Sequence, residues 1–180
     1  VSVSGDKLTG TQKQGQREAK IAGVRAPELK RPMPKAWTEP EALFNGKDLT
    51  GWEPIGNPAN NHWAVKNGEL VNESKGANLK TTRKFDDFKL HVELNCPENG
   101  NSGIYLRGRY EMQVEYEPEG TEDKYHMMGA ISSFVAPTAM APRKPGQWES
   151  FDVMLVGRRV TIVRDGVKTV DNQEIPGPTG

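Results

Sequence analysis

The fold is decided by residues 103–116, GIYLRGRYEMQVEY, in which apolar and polar side chains alternate on both sides of Gly108. A period of two is typical of β-strands, because successive side chains of a strand point to opposite faces of its sheet. One face collects the apolar and aromatic residues Ile104, Leu106, Tyr110, Met112 and Val114. The other face collects Tyr105, Arg107, Glu111, Gln113 and Glu115. The stretch therefore predicts two strands joined by a bend at Gly108.

Further strand signals surround this stretch. Residues 88–95, FKLHVELN, alternate in the same way, and residues 148–157, WESFDVMLVG, form another β-type run. An Asn-Gly pair stands between apolar runs in residues 63–71, WAVKNGELV, and an Asp-Gly pair does so in residues 160–170, VTIVRDGVKTV. Such pairs favour tight hairpins because both turn residues need a positive φ. We expect nine to eleven short strands, no amphipathic helix, and hence an all-β antiparallel β-sandwich.

The composition and the absent motifs disfavour several classes of function. The 180 residues carry 24 basic and 24 acidic side chains, and this balance disfavours nucleic acid or an anionic membrane as a partner. No apolar run approaches the roughly 20 residues of a membrane-spanning helix. Cys96 is the single cysteine, so an internal disulfide is excluded and we expect this residue to be buried. The chain has no G-x-S-x-G, H-E-x-x-H or Walker sequence, which weighs against esterase, zincin and nucleotide-binding functions.

The N-terminal part differs from the rest. Residues 1–11, VSVSGDKLTGT, predict a strand pair, and prolines at 27, 32, 34 and 40 predict an extended arm or linker pinned by Trp37. We therefore divide the chain into an N-terminal strand pair with its arm, residues 1–41, and a sandwich domain, residues 42–180.

A candidate site follows from the polar faces of the central strands. If residues 88–95, 103–107 and 110–115 are neighbours in one sheet, one surface collects His91, Glu93, Tyr105, Arg107, Glu111, Gln113 and Glu115. Acids, a cation, an amide and a ring suit a sugar ligand. The alternative is a polar face that merely meets water, as antiparallel sheets commonly have. The long loop at 117–147 is expected to form a wall of the site.

Two further features of the sequence leave alternatives open. Glu111 and Glu115 lie about 13 Å apart at their Cα atoms if they share one strand, and their side chains could lean together as the acid pair of a glycosidase. The four tryptophans, at positions 37, 52, 63 and 148, either pack in the core or rim or stack on a sugar.

Four blocks in order carry a resemblance to a known family: LFNGKDLTGWEP at 43–54, HWAVKNGELVNE at 62–73, and the stretches at 85–116 and 146–180. They resemble the signature blocks of the 3-keto-disaccharide hydrolase family. The family core N-S-G-[IV]-[YF]-L-R-G-x-Y-E-x-Q is complete at 101–113. The resemblance implies a concanavalin A-like jelly roll and a carbohydrate-active hydrolase or lyase that cleaves glycosidic bonds of 3-keto sugars.

The resemblance also implies roles for single residues. It places Arg107 at the ketone or enolate oxygen and Glu111 in acid/base work, with Tyr105 and Gln113 contacting sugar hydroxyls. The second ionisable groups or metal ligands would be drawn from His91, Glu93 and His126. We thus expect Arg107, Glu111 and His126 to be catalytic, and the substrate-binding residues to be Tyr105, Gln113, His91, Glu93 and Trp148. No cofactor is expected with certainty, and a divalent metal is compatible with the chemistry.

Alternatives to an enzyme are a non-catalytic, lectin-like binding module and a structural interaction domain of a larger protein. A secreted or periplasmic location is implied by the resemblance, although no signal peptide is visible. Members of the family continue past the I-P-G-x-T-G block into a closing strand, whereas this chain stops at Gly180. We therefore expect an internal piece of a longer protein, completed by flanking segments or by the edge of a partner.

Overall fold

The computed structural model describes residues 1–24, 30–121 and 123–176, and the chain forms two compact units, Val1–Lys30 and Arg31–Gly180. Both units are built from antiparallel strands, which confirms the all-β prediction. The described residues hold thirteen strands and one short 3-10 turn at Pro58–Asn60, more strands than the nine to eleven expected. No helix in these residues is long and apolar enough to cross a membrane.

The first unit is a three-stranded sheet. Its strands β1 (Ser2–Ser4), β2 (Lys7–Gln14) and β3 (Arg17–Val24) pair in sequence order. The sequence predicted only the first two. Strand β3 has almost every residue exposed, so it carries no hydrophobic alternation that would have identified it.

The second unit contains ten of the described strands. They are β4 (Trp52–Pro54), β5 (Trp63–Lys66), β6 (Glu69–Asn72), β7 (Leu79–Thr81), β8 (Phe88–Asn95), β9 (Asn101–Leu106), β10 (Tyr110–Glu115), β11 (Trp148–Val156), β12 (Arg159–Arg164) and β13 (Val167–Glu174). Hydrogen bonds join β13, β12, β11 and β8, in that order, into a four-stranded sheet. The other strands pair as β9 with β10, β4 with β7 and β5 with β6.

The two predicted hairpins are confirmed. Strands β5 and β6 turn at Asn67 and Gly68, with φ of 53° and 83°. Strands β12 and β13 turn at Asp165 and Gly166, with φ of 47° and 79°. Positive φ at both turn residues matches the right-handed twist of the flanking strands, which is why Asn-Gly and Asp-Gly are favoured there.

One hydrophobic core joins the four-stranded sheet to the β9–β10 pair. The four-stranded sheet contributes buried side chains such as Phe151, Leu155 and Ile162, and β10 contributes Met112 and Val114. The alternate residues of β8 (Phe88, Leu90, Val92 and Leu94) pack against the same cluster. Because the apolar faces of both sheets meet in this core, their polar faces point away from each other on opposite sides of a sandwich.

The expectation that residues 88–95, 103–107 and 110–115 are neighbours in one sheet is wrong. Strand β8 pairs with β11, whereas β9 pairs with β10 in the other sheet. The alternation in each segment was identified correctly. Alternation shows which side chains share a face of a strand but does not select the neighbouring strand.

Residues 30–41 contain no helix or strand, and the ring of Trp37 lies 5.2 Å from Nζ of Lys89. Pro27 and Gly177 to Gly180 lie outside the described residues. The extended arm and the boundary between residues 41 and 42 stay predictions.

Candidate functional site

The outward face of the β9–β10 pair brings together part of the predicted site. The antiparallel register sets Glu111 opposite Tyr105, Gln113 opposite Gly103, and Glu115 opposite Asn101. Directly opposite residues share a face of the sheet with Cβ atoms about 5 Å apart. The intervening residues, such as Met112, point into the core. We call the set Gly103, Tyr105, Glu111, Gln113 and Glu115 the β9–β10 site.

Gly103 provides the space that Glu111 occupies. A Cβ atom on residue 103 would collide with the Oε1, Cγ and Cδ atoms of Glu111. The φ of Gly103 is not in the left-handed region, so space rather than backbone conformation requires glycine here. The glycine of the 101–113 motif therefore has a structural reason, because it leaves room for the side chain of Glu111 over the neighbouring strand.

Tyr105 and Glu111 are opposite neighbours across the two strands. Partial burial raises the pKa of Tyr105, and its interaction with the negatively charged Glu111 raises it further. The phenol therefore keeps its proton well above neutral pH. Since 51% of Tyr105 is still exposed, this proton donor is within reach of a ligand.

Gln113 adds a buried acceptor. Its residue exposure is 4%, and its Nε2 donates a hydrogen bond to Oε2 of Glu115. Its Oε1 is buried and has no hydrogen-bond partner among the described residues. Buried polar atoms are nearly always paired, so this amide oxygen needs a donor that the described residues do not supply.

The loop after β10 runs along the free edge of the site. The amides of Gly129 and Ser132 donate to the carbonyls of Gln113 and Glu111, at 2.8 and 2.9 Å, and the amide of Gln113 donates to the carbonyl of Ala130 at 2.8 Å. These bonds fix β10 along the edge opposite β9. Residues 129–132 therefore border the β9–β10 site, where the long loop was expected to form a wall.

Arg107 does not join this site, which corrects the sequence prediction. It lies in the turn between β9 and β10 with a φ of 53°, and its side chain is only 5% exposed. Its guanidinium donates to the carbonyl of Gly157, and Nη1 lies 3.6 Å from Oδ1 of Asp86. Burial lowers the pKa of Arg107. The left-handed turn breaks the alternation at this residue and directs its side chain toward the β11–β12 turn.

His91, Glu93 and Trp148 lie on the other side of the sandwich, which is a second correction. The register of β8 with β11 sets His91 opposite Asp152, Glu93 opposite Ser150, and Trp148 opposite Asn95. All three predicted residues are exposed on the outward face of the four-stranded sheet. They are separated from Glu111 by the thickness of the hydrophobic core.

His126 lies in the long loop after β10. Its Nδ1 is 3.7 Å from Oδ1 of Asp123, and its side chain is partly exposed. Its catalytic role stays a prediction. Within residues 1–24, 30–121 and 123–176, no three His, Cys, Asp or Glu side chains are grouped closely enough to hold a metal ion.

The structure contains a buried polar network that was not predicted from the sequence. Arg164 pairs with Glu149 through Nε to Oε2 at 2.6 Å, and both side chains are almost fully buried. The hydroxyl of Tyr116 donates to Glu149 and accepts from Arg164 and from the amide of Lys144, at 2.7 and 2.9 Å. Burial raises the pKa of Tyr116 to about 12, with the hydrogen bond to Glu149 adding to the effect.

The network anchors the end of the long loop, because Arg164 also donates to the carbonyl of Pro142 at 3.1 Å. A sequence signal for it exists. Glu149 and Arg164 occupy inward positions in the alternation of β11 and β12, next to Phe151 and Ile162. A charged residue on an apolar face predicts a buried partner.

Comparison with known proteins gives two findings. The family model described as the 3-keto-alpha-glucoside-1,2-lyase-like domain matches residues 39–180. A search of the curated proteins finds no match.

The solved structures that match are candidate glycosyl hydrolases from Parabacteroides distasonis. The first is 32% identical, with a TM-score of 0.68 over 77% of this chain and 66% of that chain. This chain thus spans 66% of the length of that protein. Two others are 21% and 19% identical, with TM-scores of 0.61 and 0.54. They cover 71% and 70% of this chain, and 69% and 81% of their own chains. At such identities these two structures show the fold alone. The fold shared with the first structure is concanavalin A-like.

Proposed function

The chain belongs to the 3-keto-alpha-glucoside-1,2-lyase-like domain family, and on that premise we propose that it is a carbohydrate-active enzyme cleaving the glycosidic bond of 3-keto sugars. The observation that carries the proposal is that Tyr105 and Glu111 face each other across the β9–β10 ladder, with the side chain of Glu111 over Gly103. A proton donor and a carboxylate on one outward face are groups that this reaction needs. A secreted or periplasmic setting is part of the proposal.

The reaction follows from the ketone. A ketone at C3 acidifies the proton on C2, so a base can remove it and leave an enolate with its negative charge on the C3 oxygen. The electron pair of the enolate then expels the oxygen at C1, which takes up a proton and leaves a double bond between C1 and C2. Addition of water across that double bond returns a proton to C2 and places a hydroxyl group on C1.

We assign the base to Glu111 and the hydrogen-bond donor to Tyr105. Glu111 accepts the C2 proton and returns it to the departing C1 oxygen. Tyr105 keeps its proton because its pKa is raised, so it donates to the C3 oxygen as negative charge develops there. We keep Gln113 as a contact to a sugar hydroxyl, and this contact requires its buried Oε1 to become accessible when the sugar binds.

A glycosidase with Glu111 and Glu115 as its acid pair is the second candidate. The two carboxylates have different neighbours: Glu111 faces Tyr105 across the ladder, and Glu115 accepts a hydrogen bond from the amide of Gln113. This arrangement favours one proton-transfer centre over two cooperating acids. A lectin-like module that binds sugar on the same face without turnover is the third candidate.

One experiment separates the candidates. The chain and its Glu111→Gln and Glu115→Gln variants are incubated with 3-ketotrehalose and with unoxidised trehalose, and reducing sugar is measured. Our proposal predicts turnover of the keto sugar alone, with a loss of roughly 10²-fold or more in Glu111→Gln and a smaller loss in Glu115→Gln. Turnover of trehalose that both variants abolish would favour the acid pair. Affinity without turnover would favour the binding module.

A further inference from the structure

The outward face of the four-stranded sheet carries a row of polar and aromatic side chains that the proposed reaction does not use. The row follows β8 and the facing strand β11, and we call it the outer strip. Its members are Lys89, His91, Glu93 and Asn95 of β8 with Trp148, Ser150 and Asp152 of β11.

Aromatic rings mark both ends of the outer strip. Trp148, opposite Asn95, is 53% exposed, and at the other end the ring of Trp37 lies 5.2 Å from Nζ of Lys89. From Lys89 to Asn95 the strand rises about 20 Å at ~3.4 Å per residue. The strip is therefore long enough for a short chain of sugar rings.

Several side chains of the strip are held in place. Nδ1 of His91 lies 2.8 Å from Oδ1 of Asp152, which fixes the ring and leaves its other nitrogen toward solvent. Nδ2 of Asn95 donates to the carbonyl of Gly146 at 3.1 Å, so its carbonyl oxygen stays available. Ser150 is fixed by Asp165, which accepts from its amide at 2.9 Å. Groups already ordered lose little entropy when a ligand binds.

The chemistry of the strip fits an uncharged polyol better than an ion. Lys89 and the His91–Asp152 pair alternate with carboxylate and amide acceptors, so the face presents neither a basic nor an acidic patch. Solvation alone accounts for a polar sheet face. It does not account for a half-exposed Trp148, because tryptophan is among the most buried residue types on average.

We infer that the outer strip is a second carbohydrate-binding surface, which takes a neutral oligosaccharide chain with one sugar ring stacked on Trp148. Since the polar faces of the two sheets point in opposite directions, this surface and the β9–β10 site bind independently. The strip would hold a polymeric carbohydrate while the other face acts on a smaller sugar. The inference does not depend on turnover at the β9–β10 site.

The test is calorimetric titration of the chain with neutral hexasaccharides of glucose, xylose and mannose, and with a hexamer of galacturonic acid. We expect at least one neutral hexasaccharide to bind and Trp148→Ala to weaken that binding roughly tenfold or more. Trp148→Tyr should restore part of the affinity because it keeps a ring. Met140→Ala is the matched control, since Met140 is a similarly exposed apolar residue outside the strip and its variant should bind normally.

Glu111→Gln distinguishes this surface from the β9–β10 site. The variant should lose turnover of a 3-keto disaccharide but bind the hexasaccharide as the unchanged chain does, whereas Trp148→Ala should show the reverse. The inference is overturned if no neutral hexasaccharide binds, if only the acidic hexamer binds, if Trp148→Ala leaves the affinity unchanged, or if Glu111→Gln abolishes the binding.

Discussion

Tyr105 and Glu111 are directly opposed across the β9–β10 ladder, so the phenol and the carboxylate share the outward face of the strand pair. The side chain of Glu111 lies over Gly103, which has no side chain to displace it. This relationship joins a motif of the sequence to a specific chemical role, because the glycine, the phenol and the carboxylate all belong to residues 101–113.

Gly103→Ala tests whether the space over residue 103 positions Glu111. The new methyl group meets the end of a flexible side chain rather than backbone, so we expect Glu111 to move and the fold to persist. A displacement of about 1 Å can cost roughly 10²-fold in rate. We expect a loss of that order in kcat/KM for the 3-keto disaccharide, with little change in Tm.

Gly108→Ala is the control for that variant. Gly108 has a φ of 64°, and no atom lies within 4 Å of the place that a methyl group would take, so this change strains the backbone without touching the site. It should lower stability by about 1 kcal/mol and leave kcat/KM nearly unchanged. If Gly103→Ala is as active as the unchanged chain, the position of Glu111 over Gly103 is not needed for catalysis. That result would contradict the assignment of Glu111 as the base.

Arg107→Met tests the correction to the sequence prediction. The guanidinium is buried against the carbonyl of Gly157, so its loss should lower the free energy of unfolding by about 2 kcal/mol. Urea denaturation measures this effect. The folded variant should keep a kcat close to that of the unchanged chain. A large fall in kcat at unchanged stability would instead support the sequence prediction that Arg107 contacts the ketone or enolate oxygen.

Arg164→Met tests the buried network. The substitution leaves Glu149 buried without its cation, and we expect a loss of about 3 to 5 kcal/mol in unfolding free energy. The double variant Arg164→Met with Glu149→Leu removes both charges and should recover part of that loss. If the double variant is as unstable as the sum of the single variants, the two residues are not coupled.

The phenol of Tyr116 gives a prediction for alkaline pH. Its pKa is raised from 10.0 to about 12 in the folded chain, so the folded state holds this proton where the unfolded state has released it. The stabilising contribution is complete below pH 10 and is lost as the pH rises toward 12. Unfolding free energies of the chain and of Tyr116→Phe, measured from pH 9 to 11, should converge as pH rises. A constant difference would contradict the assignment.

Much of the fold could be predicted from short-range pattern. The period of two in residues 103–116 and the Asn-Gly and Asp-Gly turns identify strands and hairpins, because alternation and positive φ are local properties. Strand β3 could not be predicted in this way, because its exposed residues show no alternation. The pairing of β8 with β11 could not be predicted from short-range pattern either, because pairing between strands some 60 residues apart depends on the whole core.

The candidate site could likewise be predicted only in part, where its residues belong to one hairpin. Tyr105, Glu111 and Gln113 were placed together by one hairpin, and its register is local. An assumed single sheet places His91 and Glu93 on the same face as Glu111, but they lie on the opposite side of the sandwich, as does Trp148. Arg107 follows the alternation in the sequence, but the left-handed backbone at residues 107 and 108 redirects its side chain.

Exchange of the C2 proton of the sugar tests whether Glu111 removes that proton before the glycosidic bond breaks. The chain is incubated with a 3-keto disaccharide in D2O, and deuterium at C2 of the released keto sugar is measured by NMR. Our account predicts deuterium at C2 in step with cleavage, and the loss of both in Glu111→Gln. Cleavage that leaves the original proton on C2 would contradict it.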